Sequence, residues 1–252
     1  MNKVSYDVKF PITNNKLRRE DEYFIIIQNE QEQRLRIQDY SKIYTIPGLY
    51  EYVLIDLLKL KSHEVISKLL IDEVVKSQSY AAELSILELA AGVGLVGKSL
   101  KDKGVKSIVG VDLIQEAAEA VKRDRPDAYD RYYVEKLPHV TEEIQKELEN
   151  YKFNCLVCAS ALTGGLPGSA FAFAYNLISD GGWIAFNIRD NLINTQSNHN
   201  SGRMIATIIK EGILKVAIKE SYQHRISVTG DPLQEIALIG LKMRNIPLEI
   251  IE

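Results

Sequence analysis

Ile86-Leu87-Glu88-Leu89-Ala90-Ala91-Gly92-Val93-Gly94-Leu95-Val96-Gly97-Lys98-Ser99 is the stretch on which the reading of this chain turns. An apolar strand runs into a glycine-rich turn, and a helix opens directly behind it. Glycines at such a junction let a ligand approach the backbone at a helix N-terminus, where free N–H groups point outward. The segment fits more than one pattern. Gly92-x-Gly94-x-x-Gly97 is the dinucleotide fingerprint, and Gly92-x-x-x-x-Gly97-Lys98-Ser99 satisfies the phosphate-loop motif letter for letter. A third pattern, Glu88-x-Ala90-x-Gly92-x-Gly94, has an acid leading a spaced glycine series, with alanine in the first glycine position.

The acids beside the loop weigh these patterns against one another. Glu88, near the strand end, aims a carboxylate into the loop; it suits a ligand that carries positive charge and no phosphate, and close to a triphosphate it would be repulsive. Asp112 ends the next strand, where a carboxylate can accept from ribose hydroxyls, as it also does in NAD enzymes. For a phosphate loop, a second strand should end in a magnesium-holding aspartate. The fourth strand ends instead in Ala159-Ser160-Ala161, although Asp112 is available for that role. For an NAD domain, the fingerprint strand should come first, whereas roughly 80 residues precede it here.

Beyond residue 81 strands and helices alternate. Apolar runs predict strands over 84–90, 107–112, 132–134 (the weakest), 153–160 and 183–188. Helices are predicted from about 95 to a stop at Gly104, over 114–124 and 142–151, over 169–178, and over 203–210 before Gly212. Strands over 214–228 and 234–243 then follow each other directly across Thr229-Gly230-Asp231-Pro232. Alternation implies a parallel sheet with helices on both faces. The expected class is α/β: a doubly wound seven-stranded sheet, mostly parallel with an antiparallel C-terminal hairpin, forming a Rossmann-like core over 81–252.

Ahead of that core, residues 41–80 read as a helical cap, with Tyr50, Val53, Leu54, Leu57 and Leu58 at helical spacing and Val65, Ile66, Leu69, Leu70 and Val74 repeating it. Residues 1–40 read as an extension carrying a β-hairpin over 23–37, its arms joined by a polar loop of about five or six residues. The first twenty residues hold no apolar stretch fit for a signal peptide, and no run approaches the ~18 apolar residues of a membrane span, so a cytoplasmic protein is expected.

A formal net charge of −3 leaves no global basic footprint for nucleic acid, and Arg18-Arg19 and Lys122-Arg123 sit beside acids and read as solvated faces. Cys155 and Cys158, the two cysteines, lie in one predicted strand; side chains three apart there point to opposite faces, so two buried thiols are expected rather than a redox pair. The four histidines are scattered, and no metal site is expected. His63 and His139 read as helix-cap or loop residues, and His224-Arg225 as surface or hairpin residues.

From about residue 40 to 243 the order of motifs resembles small-molecule class I methyltransferases, which use S-adenosylmethionine (SAM). The resemblance rests on Tyr40-Ser-Lys-Ile-Tyr44 with Pro47-Gly48-Leu49-Tyr50-Glu51, the Glu88 loop, Val109-Gly-Val-Asp112, residues 155–162, and Asp180-Gly-Gly-Trp-Ile-Ala-Phe-Asn-Ile-Arg189-Asp190. The Asp-Gly-Gly turn is similar to the Pro-Gly-Gly that precedes strand five in the family. The resemblance implies a SAM cofactor, with Glu88, Ala90, Gly92 and Gly94 at its methionine end, Asp112 at the ribose, Leu113 on the adenine face, and Ala159 and Ser160 beside the methyl-transfer site. Ala90 replaces a glycine and is expected either to hold φ below zero or to shift the loop. The position that aligns with the family's acid near the adenine amine holds Lys136, and Glu135 beside it is the available acid.

Tyr40 and Tyr44 are candidates for a lid over a small-molecule acceptor. Asn187 and Arg189, at the end of the fifth strand, are candidates for its pocket, with Arg189 either meeting an anion or pairing with Asp190. No Asn/Asp-Pro-Pro-Tyr/Phe motif follows the fourth strand, which weighs against a nucleobase amine as acceptor. A non-catalytic SAM-binding partner protein, a phosphate-loop protein and an NAD-dependent oxidoreductase are the alternatives.

Overall fold

The computed structural model describes residues 5–13 and 17–251; the remaining residues of the predicted 1–40 extension lie outside them. Three antiparallel strands, β1 (Asp7–Lys9), β2 (Tyr23–Gln28) and β3 (Gln31–Arg36), form a small N-terminal sheet. The predicted hairpin is β2–β3, but its turn is only Asn29-Glu30, with φ of 50° and 63°. Both residues sit in the left-handed region that a tight two-residue turn requires. The polar stretch expected to be loop is therefore strand, facing solvent along most of β3. The short polar β1 carried no alternation signal, and it exists because β2 offers it an edge.

Helix α1 (Tyr40–Thr45), a π-helical segment (Glu51–Leu57) and α2 (Ser62–Lys76) come next. Val53 and Leu54 of the π-helical segment pack with Ile43 of α1 and with Phe24, Ile26 and Leu35 of the small sheet. Two arginines fasten this layer to the rest of the chain: Arg123 donates to the Tyr44 carbonyl at 3.3 Å, and Arg125 donates to the Val93 carbonyl at 3.1 Å while pairing with Glu51.

The core sheet contains β4 (Ser85–Leu89), β5 (Ser107–Asp112), β6 (Arg131–Val134), β7 (Cys155–Cys158), β8 (Trp183–Ile188), β9 (Leu214–Ile226) and β10 (Pro232–Lys242). Their spatial order is β6-β5-β4-β7-β8-β10-β9. The first five run parallel, and β10 inserts antiparallel between β8 and β9. Helices α3 (Leu95–Asp102), α4 (Gln115–Asp124), α5 (Glu142–Asn150), α6 (Gly168–Asn176) and α7 (Asn200–Lys210) complete the alternation. The strand runs are apolar on both sides because both faces are covered. On one face Ile66, Leu70 and Val74 of α2 meet Cys155 and Val157, while on the other Phe171 and Tyr175 of α6 meet Leu156 and Cys158. The two free cysteines thus face opposite layers, and burial pushes both thiols up. No helix among the described residues is long and apolar enough to cross a membrane.

The β9–β10 hairpin reaches past the sheet and carries the N-terminal layer. Ile226 N–H donates to the Leu58 carbonyl at 2.7 Å, and Lys61 N–H to the His224 carbonyl at 3.0 Å. His224 and Arg225 lie on the hairpin, one of their two readings, but are buried in it and not at the surface. Arg225 pairs with the buried Glu22, which also accepts the Val228 N–H at 3.0 Å. Arg19 is mostly covered too, donating to Glu235 at 2.6 Å, so it is not part of a solvated face. Local pattern could not reveal this, because the burial comes from a segment some 200 residues away. Truncating one member of a buried pair strands the other charge, so Glu22→Ala is expected to lower stability by about 3–5 kcal/mol. The shift of the urea-unfolding midpoint at constant m-value measures it.

Candidate functional site

Strands β4, β5 and β7 end side by side, and the glycine loop leaves β4 at that edge. Asp112, the last residue of β5, accepts the Gly92 N–H on Oδ2 at 2.8 Å and the Ile114 N–H on Oδ1 at 2.9 Å. Burial raises its carboxyl above the ordinary value, and these backbone donors oppose the rise. Glu88 is almost fully buried under the loop and accepts the Tyr129 hydroxyl at 3.0 Å. Burial pushes the Glu88 carboxyl up to about 8, opposed by the Tyr129 hydrogen bond and the Gly97 N–H, and helped upward by the Asp112 charge.

Tyr129 accounts for the later glycines of the loop. A Cβ on Gly97 would lie 2.7 Å from the Tyr129 ring, and one on Gly94 would lie 3.2 Å from both that ring and Val121. Gly94 therefore does not line the cavity, contrary to the expectation for it: its bare Cα faces the packed side. Gly92 is the loop glycine that faces the site, where a Cβ would lie 3.2 Å from the Tyr44 hydroxyl. Ala90 corrects a second expectation. It keeps the left-handed conformation of a glycine, with φ of 56°.

These elements enclose a cavity of about 350 Å³. Glu88, Ala90, Gly92, Asp112, Leu113, Ala159 and Ser160 line it, together with Tyr40 and Tyr44 from α1 and both Glu135 and Lys136. Tyr40 and Tyr44 stack with ring centroids 5.7 Å apart. Leu113 is 62% exposed at the cavity wall, an uncovered apolar side chain beside the Asp112 carboxylate. His63, on α2, also lines the cavity, and its buried Nδ1 has no partner. Lys98 turns away to pair with Asp102 along α3.

A second cavity, about 320 Å³, adjoins the first and shares Tyr40, Tyr50 and Ser160 with it. Arg189 lines this one and does not pair with Asp190, which meets Lys219 at 2.8 Å. Asn187 lines neither cavity. It is fully buried, accepts the Ser160 N–H at 2.8 Å and donates to Glu235, so its polar atoms are consumed in holding Ser160. Ser160 itself has φ of 62°, a left-handed serine where the two cavities meet. Sequence reasoning missed Tyr129, Tyr50, Arg19 and Glu235. For Tyr129 the signal was present only as glycines scattered over the loop and β5, which a ring must be placed against before it can be read.

No known family's sequence profile matches the chain, and no curated protein matches its sequence. Solved structures do match it. The N-methyltransferase NodS from Bradyrhizobium japonicum, in complex with S-adenosyl-L-homocysteine, superposes with a TM-score of 0.55 at 16% identity, covering 82% of this chain and 97% of that one. An O-methyltransferase family protein from Burkholderia thailandensis gives 0.52 at 15% identity over 83% of this chain and 64% of that one. A SAM-dependent methyltransferase from Clostridium acetobutylicum gives 0.51 at 14% identity, over 79% and 97%. At such identity the likeness shows the fold alone.

The loop geometry predicts opposite outcomes for two small substitutions. An L-residue in the left-handed region carries a penalty of about 1–2 kcal/mol, from which glycine's extra unfolded-state entropy subtracts about 0.4–1. Ala90→Gly is therefore expected to stabilise the protein by about 0.5–1 kcal/mol. Gly97→Ala drives a methyl into the Tyr129 ring and is expected to destabilise it by about 1–3 kcal/mol, as overpacking does. Thermal unfolding midpoints of the two variants should move in opposite directions.

Proposed function

We propose that the protein is a SAM-dependent methyltransferase acting on a small-molecule acceptor. The observation that carries this reading is the pair of buried carboxylates, Glu88 and Asp112, on either side of the glycine loop in one cavity. Two carboxyl groups suit a nucleoside ligand that bears an ammonium and a sulfonium, and a phosphate chain would meet the Asp112 charge at close range. The Gly92 N–H, which a phosphate loop would turn to its ligand, is already given to Asp112. Lys98, which would reach the phosphates, is engaged on the outer face of α3.

The residues present fit the cofactor. Asp112 keeps acceptor capacity for ribose hydroxyls beyond its two backbone donors, Glu88 lies at the methionine end, and Leu113 offers an apolar surface for the adenine face. Ala90 and Gly92 supply loop backbone, and Ala159 and Ser160 border the transfer site. When bound, SAM supplies an electrophilic methyl group. The chain's part is to position the acceptor and exclude water, and positioning can be worth ~7–11 kcal/mol of the barrier. Residues 41–80 would act as the cap over the 81–252 core, with Tyr40 and Tyr44 as its inner surface and the 1–40 extension bracing it. The adjoining second cavity favours catalysis over mere cofactor binding, because it provides room for an acceptor beside Ser160. Two buried free thiols accord with a reducing compartment such as the cytoplasm.

Calorimetry with S-adenosylhomocysteine tests the reading. Asp112→Ala removes a charge-assisted acceptor worth ~1.5–3 kcal/mol, so affinity should fall about ten- to a hundredfold, while Lys98→Ala should leave it within about twofold. Binding of NAD or magnesium-ATP in place of S-adenosylhomocysteine overturns the proposal.

Glu88 adds a proton-linkage prediction. With a folded-state value of about 8, the ligand-free protein holds a proton there that the unfolded chain, at the ordinary 4.5, has released; this carboxyl therefore makes stability fall as pH rises across that window. A ligand ammonium favours the ionised form. Binding at pH 7 should then release a proton, and the observed heat should vary with the ionisation enthalpy of the buffer. In Glu88→Gln the buffer dependence should vanish.

A further inference from the structure

We infer that the second cavity seats the carboxylate of a small organic acid on Arg189, so that the acceptor is a monocarboxylic acid with an apolar body. The inference rests on the methyltransferase reading of the first cavity for the word acceptor, but the anion seat follows from the second cavity alone.

The ion pairs around this cavity leave one cation over. Arg19 is taken by Glu235 at 2.6 Å, and Arg225 by Glu22. Glu20 meets Arg18 at 3.2 Å, and Asp190 meets Lys219 at 2.8 Å. Among the described residues the Arg189 guanidinium has no hydrogen bond and no ion pair, and its Nε is buried without a partner. A buried polar group of a native protein is normally satisfied, and one that is not asks for a missing partner. The side chain starts from a fixed point, because the Arg189 N–H donates to Thr163 Oγ1 at 3.1 Å where β8 ends. Burial, and next the Arg19 charge, push the guanidinium below its ordinary value against the opposing charges of Glu235 and Glu20, and an anion at its donors would relieve the first two.

The chemistry of the seat selects a carboxylate. A guanidinium offers a planar fork of donors that matches the two oxygens of a carboxylate. One unpaired cation balances one negative charge. A phosphate dianion would leave an excess charge beside Glu235 and Glu20, which line the same cavity. His199 lines it as well. Its Nδ1 accepts the Gly202 N–H at 3.1 Å, so in the neutral ring the proton sits on Nε2, making that atom a donor. Burial, followed by the Arg189 charge, keeps this ring below its ordinary value and hence neutral at pH 7. Beside the polar Gln38, Thr163 and His224 and the already paired Arg19 and Arg225, the apolar part of the wall is formed by Ile37, Leu54, Leu60, Tyr40 and Tyr50. An acid held at Arg189 has its apolar part among these side chains, in a cavity that shares Ser160 with the cofactor cavity.

The test titrates benzoate, its uncharged analogue benzamide, and phenyl phosphate into the protein, with and without saturating S-adenosylhomocysteine, by ligand-observed NMR. Benzoate is expected to bind at least about tenfold more tightly than benzamide, one charge-assisted contact's worth. Arg189→Gln should bring the two to parity, and Arg189→Lys should restore only part of the preference because it lacks the fork. S-adenosylhomocysteine affinity within about twofold of the parent shows that each variant is folded and the first cavity intact. Parity of benzoate and benzamide in the parent, or a benzoate preference that survives Arg189→Gln, overturns the inference. So does tighter binding of phenyl phosphate than of benzoate. If the parent binds no S-adenosylhomocysteine, the methyltransferase reading fails by itself, and the ligand-free titration still decides the carboxylate seat.

Discussion

Asp112 holds the site together through two backbone hydrogen bonds, Gly92 N–H on one oxygen and Ile114 N–H on the other. Gly92 belongs to the loop after β4 and Ile114 to the entry of α4, so one side chain fixes the exits of two neighbouring strands. Parallel strands place their carboxyl ends on one edge, but they do not determine how the chain leaves that edge. Here a carboxylate does, and it is the carboxylate that would face a ribose. The contact that builds the loop and the contact proposed for the ligand therefore share one residue.

Beneath the loop, Tyr129 explains why three motifs could match one stretch. The ring lies against Gly94, Gly97 and Gly110 and donates its hydroxyl to Glu88. The glycine spacing of a dinucleotide or phosphate site is thus reproduced by the requirement to seat an aromatic ring next to a buried acid. A motif records where Cβ atoms are forbidden and does not say what forbids them. In this chain a phenol does so at Gly97, and that removes the strongest support for Lys98-Ser99 as a phosphate-binding pair.

What was legible in the sequence had a local cause. The strands β4, β5, β7 and β8 were readable because burial on both faces demands continuous apolar runs, and the last pairing because Gly230-Asp231-Pro232 leaves no room for a helix. Glu88 and Asp112 could be singled out because a carboxylate at a strand end has few other uses, and the fold brings both to one cavity. What was not legible depended on distant chain. Burial of His224 and Arg225 comes from Glu22 and α2, and β1 exists only because β2 has a free edge. Asn187 looked like a pocket residue from its place at a strand end. Which side of the strand end it faced, and that Ser160 and Glu235 would consume its polar atoms, required the fold.

Among the non-glycine residues in the left-handed region, Ala90 and Ser160 line the first cavity. Such strain persists where the surroundings over-determine the backbone. For Ser160 the determinants can be traced outward. Its N–H is held by Asn187, whose amide donates to Glu235; Glu235 accepts Arg19, and a charged Glu235 lies 3.8 Å from the His224 ring. The chain of contacts begins at the meeting point of the two cavities and ends in the N-terminal segment. Burial drives His224 to about 4, so its ring is neutral near pH 7 and the Arg19–Glu235 pair supplies the formal charges of this network. The extension is consequently part of the site's construction: Arg19 helps fix Glu235, Glu235 fixes Asn187, and Asn187 holds Ser160 in a conformation that serine adopts rarely when left to itself.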